Sequence, residues 1–285
     1  MIVCHNGARL KGYSVSRVII DKEYGMKKVL IIEASSRKGF SSEIAMQIKE
    51  EMSQKAEMEV IHLRDYHIAR CKGCCACLSL GSAACPLRED DVKLILEKMV
   101  HSDGAIFVTP NYSLSVPGIL KDLFDRLAFV FHRPRLFGKA CLPVVVQGVY
   151  GGNKVAKYIN EAMGFWGMNS VKGAILSGGI YPQRELKNDV REKNNRALMK
   201  ALDKFSDRLH DDKPAQPTFF KMMIFRMTRS SMKYFDEALE PDKKYFEVKG
   251  WLESDYYYDV DINPIKRMVG KFFDIMVRRM ARSNH

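Results

Sequence analysis

Five short apolar runs, each followed by a polar loop and a stretch of helical spacing, organise residues 27–209. The runs are KKVLIIE (27–33), EMEVIHLR (57–64), GAIFVTP (104–110), ACLPVVVQ (140–147) and SVKGAILSG (170–178). The strongest are apolar almost throughout, the pattern of strands buried on both faces, and such strands belong to parallel sheets. Helices are expected over residues 43–55 behind a cap at Ser41 or Ser42, and from a cap at Asp90 or Asp91 to about residue 101. Another is opened by Pro117 and runs to about residue 131; the last two cover 154–165 and 185–209. The fold class is therefore α/β, a doubly wound five-stranded parallel sheet. Ligands of such sheets bind outside the carboxyl ends of the strands.

Residues 1–25 lack this rhythm and have no continuous apolar core of a secretory signal. Met26 directly precedes the first strand, so 1–25 reads as an appendage and 26–210 as the main domain. DDKPAQP (211–217) reads as a linker into a basic, aromatic-rich and mostly helical extension, 211–285. No apolar run reaches the roughly 20 residues of a membrane span. Five of the seven cysteines cluster in CKGCCACLSLGSAAC (71–85), which suits a reducing cytoplasm better than a disulfide framework. The net charge of +12 is scattered, without zinc-finger spacing, an RNP motif or a long basic run. Nucleic acid is not an expected partner.

Three loops at the predicted binding edge carry suitable chemistry. SSRKGFSS (35–42) offers hydroxyls, Arg37 and Lys38 ahead of a helix N-terminus, where amides and the helix dipole favour phosphate. TPNYSLSVPG (109–118) offers Tyr112 and backbone donors to a planar ring. QGVYGGN (147–153) has glycines that permit close backbone approach, and Tyr150.

On SSRKGFSS, TPNYSLSVPGILKDLFDR and the compact cysteine run followed by Asp90-Asp91, the chain resembles the NAD(P)H-dependent FMN reductases of flavodoxin-like fold, and among them the iron–sulfur flavoproteins. The resemblance covers about residues 27–209. It implies FMN, with phosphate on Ser35, Arg37, Ser41 and Ser42. Pro110, Asn111, Tyr112 and Ser113 would contact the ring, and Gly148, Tyr150, Gly151 and Gly152 its pyrimidine side. The first loop departs from the usual pattern at Ser36, where proline is common, and at Ser42, where threonine is. The implied activity passes electrons from NAD(P)H through FMN to a small acceptor such as a quinone or flavin. The alternative is a one-electron carrier serving ferredoxin-like partners, and a third reading is a thiol-based sensor.

Cys71, Cys74, Cys77 and Cys85 have the spacing C-x2-C-x2-C-x7-C, and four thiolates suffice for a 4Fe–4S cluster. Bare thiols and zinc are the competing readings. His62 and His67 read as polar residues at a strand end rather than ligands. The last element, from Pro264, shows an apolar stripe of Ile265, Met268, Val269, Phe272 and Met276 among basic residues. Docking of that stripe on the protein, or on a second subunit of a homo-oligomer, is preferred to a membrane-surface role.

Overall fold

The computed structural model describes residues 25–179, 185–211, 213–234 and 240–283. The appendage, with Cys4, lies outside the described residues but for its last one. In chain order the elements begin β1 (Lys28–Glu33), α1 (Phe40–Met52), β2 (Glu57–His62), the short α2 (Ala76–Ser79), α3 (Val92–His101) and β3 (Gly104–Pro110). They continue with α4 (Gly118–Arg126), the short α5 (Phe129–His132), β4 (Ala140–Gln147), α6 (Gly152–Phe165), β5 (Asn169–Ser170), β6 (Ala174–Ser177) and α7 (Asn188–Leu209). The extension supplies α8 (Phe219–Tyr234), α9 (Glu240–Val248) and α10 (Pro264–Ser283).

The strands pair in the order β2-β1-β3-β4, and β5 and β6 share the outer side of β4. Every pairing is parallel. This is the flavodoxin-like order. Period-two alternation sends successive residues of each strand to opposite faces. Leu30, Ile32, Ala105 and Phe107 join α3, α4 and α6 in one core. Val29, Ile31, Ile106 and Val108 join α1 and α7 in the other.

The fifth strand is broken in two. Cys141 pairs with Ser170, but Val144 pairs with Ala174, so one extra residue is inserted opposite Pro143. Proline has no amide to hold a ladder at that point, and the outer strand bulges there. Gly173 permits this, since a Cβ on it would lie 2.7 Å from the Pro143 carbonyl oxygen.

The expected caps also shift. α1 starts at Phe40, with Gly39 at its N-cap, and Ser41 and Ser42 fall inside the first turn. Asp91 stands at the N-cap of α3 without a side-chain bond to the helix; its carboxylate instead accepts from the His67 amide at 2.7 Å.

The extension has its own core, Met222, Phe225, Phe246, Trp251 and Tyr256, packed against Phe137 just before β4. These aromatics therefore sit by the amino end of β4, away from the carboxyl edge of the sheet. α10 lies parallel to α8: Lys266 donates to the Pro217 carbonyl, Asp274 pairs with Arg226 and Arg229, and Arg278 covers Tyr234. It does not dock by the stripe expected from its sequence, for Ile265, Met268 and Phe272 face outward. Gly270, Val277 and Ala281 form the inner edge instead. A Cβ at Gly270 would meet Arg226 at 3.0 Å, so small residues and the Asp274 ion pairs choose the docking face, not apolar area.

Asn194, buried in α7, accepts from the Ser177 amide at 2.9 Å and donates to the Ser177 carbonyl at 2.8 Å. It supplies the ladder that the end of edge strand β6 lacks. Replacing it by alanine strands two polar groups, and we expect Asn194→Ala to lose about 2–4 kcal/mol in urea unfolding.

Candidate functional site

β1 and β3 are neighbours, yet their crossovers leave in opposite directions: α1 covers one face of the sheet and α4 the other. A crevice must open between the two loops at the carboxyl ends of these strands. The structure has a cleft of about 150 Å³ there. Its border includes Ser35, Arg37, Ser41, Pro110, Asn111 and Tyr112. Gly148, Gln147 and the backbone of Gly178 and Gly179 close the third side.

The first loop is built on a buried carboxylate. Glu33, the last residue of β1, is fully buried. Its Oε1 accepts from the Ser35 amide at 2.8 Å and meets the Ser35 hydroxyl. Its Oε2 meets His62 Nδ1 at 2.9 Å, the Arg64 guanidinium, and the Ser42 hydroxyl at 3.3 Å. Burial alone would push this carboxyl up; the bonds from Ser35, His62 and Arg64 outweigh it and hold the pKa below the ordinary value. The Ser35 hydroxyl also lies 2.7 Å from the Arg37 carbonyl, which folds the loop back over the strand end. No side chain caps α1, whose first residues, Phe40 and Ser41, border the cleft.

The second loop is a tight reversal. Tyr112 and Ser115 exchange backbone bonds of 3.1 and 3.0 Å, and Ser113 and Leu114 between them both have positive φ. Two left-handed residues in sequence define a type I′ turn. Outside glycine, asparagine and aspartate the conformation costs energy, so packing must hold it. The third loop provides that packing. Gly151, at φ 97°, leaves room for Leu114, whose methyl would lie 2.6 Å from a Cβ there. Asn111 Nδ2 donates to the Tyr150 carbonyl at 2.7 Å.

Of the residues expected from sequence, Ser35, Arg37, Ser41, Pro110, Asn111, Tyr112 and Gly148 come together around the cleft. Ser42, Ser113, Tyr150, Gly151 and Gly152 do not border it. Ser42 is turned toward Glu33 and Arg64. Ser113 forms the turn, Tyr150 is exposed, and Gly151 serves loop packing. The Gly152 amide donates to Gln147 Oε1 at 2.7 Å, which caps α6. Sequence reasoning missed Glu33, Arg64 and Gln147. The available signal was an acid ending an otherwise apolar strand, with two basic residues ending its neighbour.

The residues fit an FMN-type ligand on two observations. Asn111 Oδ1 is buried in the cleft wall with no partner, and Gly148 borders the cleft with nothing within 4 Å of where a Cβ would stand. A wider cavity of about 420 Å³ lies between α6 and the start of α8, walled by Phe165, Phe220 and Tyr257. It is not formed by the strand-end loops.

The cysteine loop hangs between two arginines. Arg126 of α4, buried with Asp90, donates to the carbonyls of Ala69 and Leu87 at 3.1 and 2.6 Å and lies 3.8 Å from Cys85 Sγ. Arg133 holds the Cys77 carbonyl. Cys75 turns the chain at φ 55°. The Cys77 thiol is pushed up by burial and by Cys85 and Cys71 nearby; Cys74 and Cys75 are exposed. Among the described residues no three or more His, Cys, Asp or Glu side chains are arranged to hold a metal ion. The donor chemistry suits a cluster, but the four thiols are not gathered into a closed set.

Residues 27–182 match the family described as NADPH-dependent FMN reductase, so the chain belongs to that family of flavin-dependent oxidoreductases. An iron-sulfur flavoprotein of Archaeoglobus fulgidus is 38% identical over 127 residues, 44% of this chain and 61% of that protein. The match thus spans less than two thirds of that relative. A second iron-sulfur flavoprotein of the same organism is 25% identical over 229 residues, 80% of this chain and 100% of its own length. A quinone reductase of Escherichia coli K12 is 32% identical over 93 residues, 31% of this chain and 47% of that protein.

Because folding depresses the Glu33 pKa, its stabilisation is complete above the ordinary glutamate value and is lost as pH falls through the lower folded value. Glu33→Gln should cost about 1–3 kcal/mol near neutrality. It should also flatten the acid limb of stability below the ordinary glutamate pKa. Urea unfolding across that range checks it; parallel acid limbs in parent and variant would assign the pH dependence to other groups.

Proposed function

We propose that the protein binds FMN in the β1/β3 cleft and passes electrons from NAD(P)H to a small acceptor, a quinone or a flavin. The observation that carries this is the convergence of three loops on one crevice, with an uncapped helix start on one side and an interlocked turn on the other. The flavin supplies hydride acceptance and onward electron delivery as its own chemistry.

The chain's part is binding and orientation. Arg37 and the first turn of α1 hold phosphate, where charge and helix dipole act together. The hydroxyls of Ser35 and Ser42 are already engaged by Glu33, so they shape the loop. Arg64 offsets the carboxylate beneath the anion site, and His62 bonds it. Asn111, through its unpartnered Oδ1, and the amide of Gly148 face the ring; Tyr112, half exposed, forms a flat wall. The working unit is residues 26–210, and 211–285 is an attached extension. The family membership and the named quinone reductase relative support this reading.

Purified full-length chain should carry a flavin spectrum and consume NAD(P)H when a soluble quinone is added; no flavin uptake would overturn the proposal. Arg37→Ala should weaken FMN by about tenfold or more while sparing riboflavin, which lacks the phosphate. Equal loss of both would reject the phosphate assignment.

A second reading has its own observation. The Cys77 thiol is pushed up by burial and by nearby Cys85 and Cys71, so the three lie on one loop within electrostatic reach of Cys77, and relatives are named iron-sulfur flavoproteins. If Cys74 joins them, the set takes a 4Fe–4S cluster and the protein serves as a one-electron carrier. Anaerobically reconstituted chain should then hold about four irons. Cys71→Ser should lower that figure and Cys75→Ser should not. Iron-free chain leaves bare thiols.

A further inference from the structure

α10 has two faces that nothing in the flavin site uses. Its inner edge is small and polar, and docks on α8 through Gly270, Val277, Ala281 and Asp274. Its outer face carries Ile265, Met268, Phe272 and Ile275 at three- and four-residue steps. They are 59%, 65%, 61% and 53% exposed, so more than half of each side chain has no cover. The stripe runs about 15 Å along the first half of this 20-residue helix.

The charges beside this stripe have one sign. Arg267, Lys271, Arg278, Arg279 and Arg282 are all exposed. Asp274, the helix's one acid, is turned inward to Arg226, Arg229 and Ser230. Asp255 reaches Arg267 but is shared with buried Arg226. Lys271, Arg279 and Arg282 have no acid beside them among the described residues. Exposed aromatic rings stand beside both ends of the helix: Phe219 next to Lys266, and Tyr234 under Arg278. A second copy of α10 laid against this face would bring like charges together. A surface that is apolar beneath and anionic above satisfies stripe and charges at once.

We propose that α10 holds the protein on an anionic lipid surface. The stripe sinks to the headgroup boundary, and the flanking lysine and arginine side chains meet lipid phosphates. The helix lies along the surface; no helix among the described residues is long and apolar enough to cross a membrane.

The test is sedimentation of the full chain with vesicles of phosphatidylcholine alone or with a third phosphatidylglycerol. The protein should pellet with the mixed vesicles only, and high salt should release it. Lys271→Gln with Arg279→Gln should weaken binding about thirtyfold, near fivefold per charge. Met268→Ser with Phe272→Ser should abolish it. Both pairs are exposed, so melting temperature and FMN uptake should match the parent's, which separates this result from any failure of the flavin site. No pelleting with either vesicle overturns the proposal. So does a parent dimer that Met268→Ser with Phe272→Ser turns into monomer without any vesicle binding, which would give the stripe to a second copy.

Discussion

Two neighbouring parallel strands cannot be joined by a tight turn, so β1 to β4 are each followed by a helical crossover on one face of the sheet. Every loop that leaves a strand therefore opens on the same edge. At β1 and β3 the crossovers part to opposite faces, and the gap between them cannot be filled by either helix. The cleft is thus a product of connectivity. The side chains around it decide only what it holds.

What they establish is a graded electrostatic floor. Glu33 puts a negative charge below the first loop; Arg64, just past the neighbouring strand, answers it, and His62 bonds the same carboxylate. Arg37 and the α1 terminus then face the crevice above a neutralised base. The opposite wall is mechanical: Leu114 in the left-handed region, Gly151 making room for it, and Asn111 tied to Tyr150. Neither loop would keep its shape without the other.

Much of this was legible in the sequence, because apolar runs between helical stretches specify a buried parallel sheet almost alone. The loops that meet at the cleft were equally visible, since strand ends and turn residues locate them. Roles within the loops were not. Ser42 has the right residue type for phosphate, but an arginine two elements away claims its hydroxyl. Gly152 has the right flexibility, but Gln147 takes its amide. Such competition depends on groups distant in sequence. The break between β5 and β6 was hidden likewise, since it follows from a proline on the adjacent strand. The docking face of α10 was misjudged because hydrophobic periodicity reports apolar area and is blind to a glycine that lets backbones approach or to one well-placed aspartate.

Arg133 joins two regions that the chain order keeps far apart. One of its nitrogens holds the Cys77 carbonyl, and another stands 3.4 Å from Asp242 of α9, which His132 also bonds at 2.8 Å. All three groups are shielded from water except the histidine edge. Such a bridge works in both directions by thermodynamic necessity. Ordering of the thiol-bearing loop favours the seated position of α9, and loosening of α9 raises the cost of keeping the loop in place. The extension and the cysteine segment thus share one buried bridge, and protection of their amides against solvent exchange should rise and fall together.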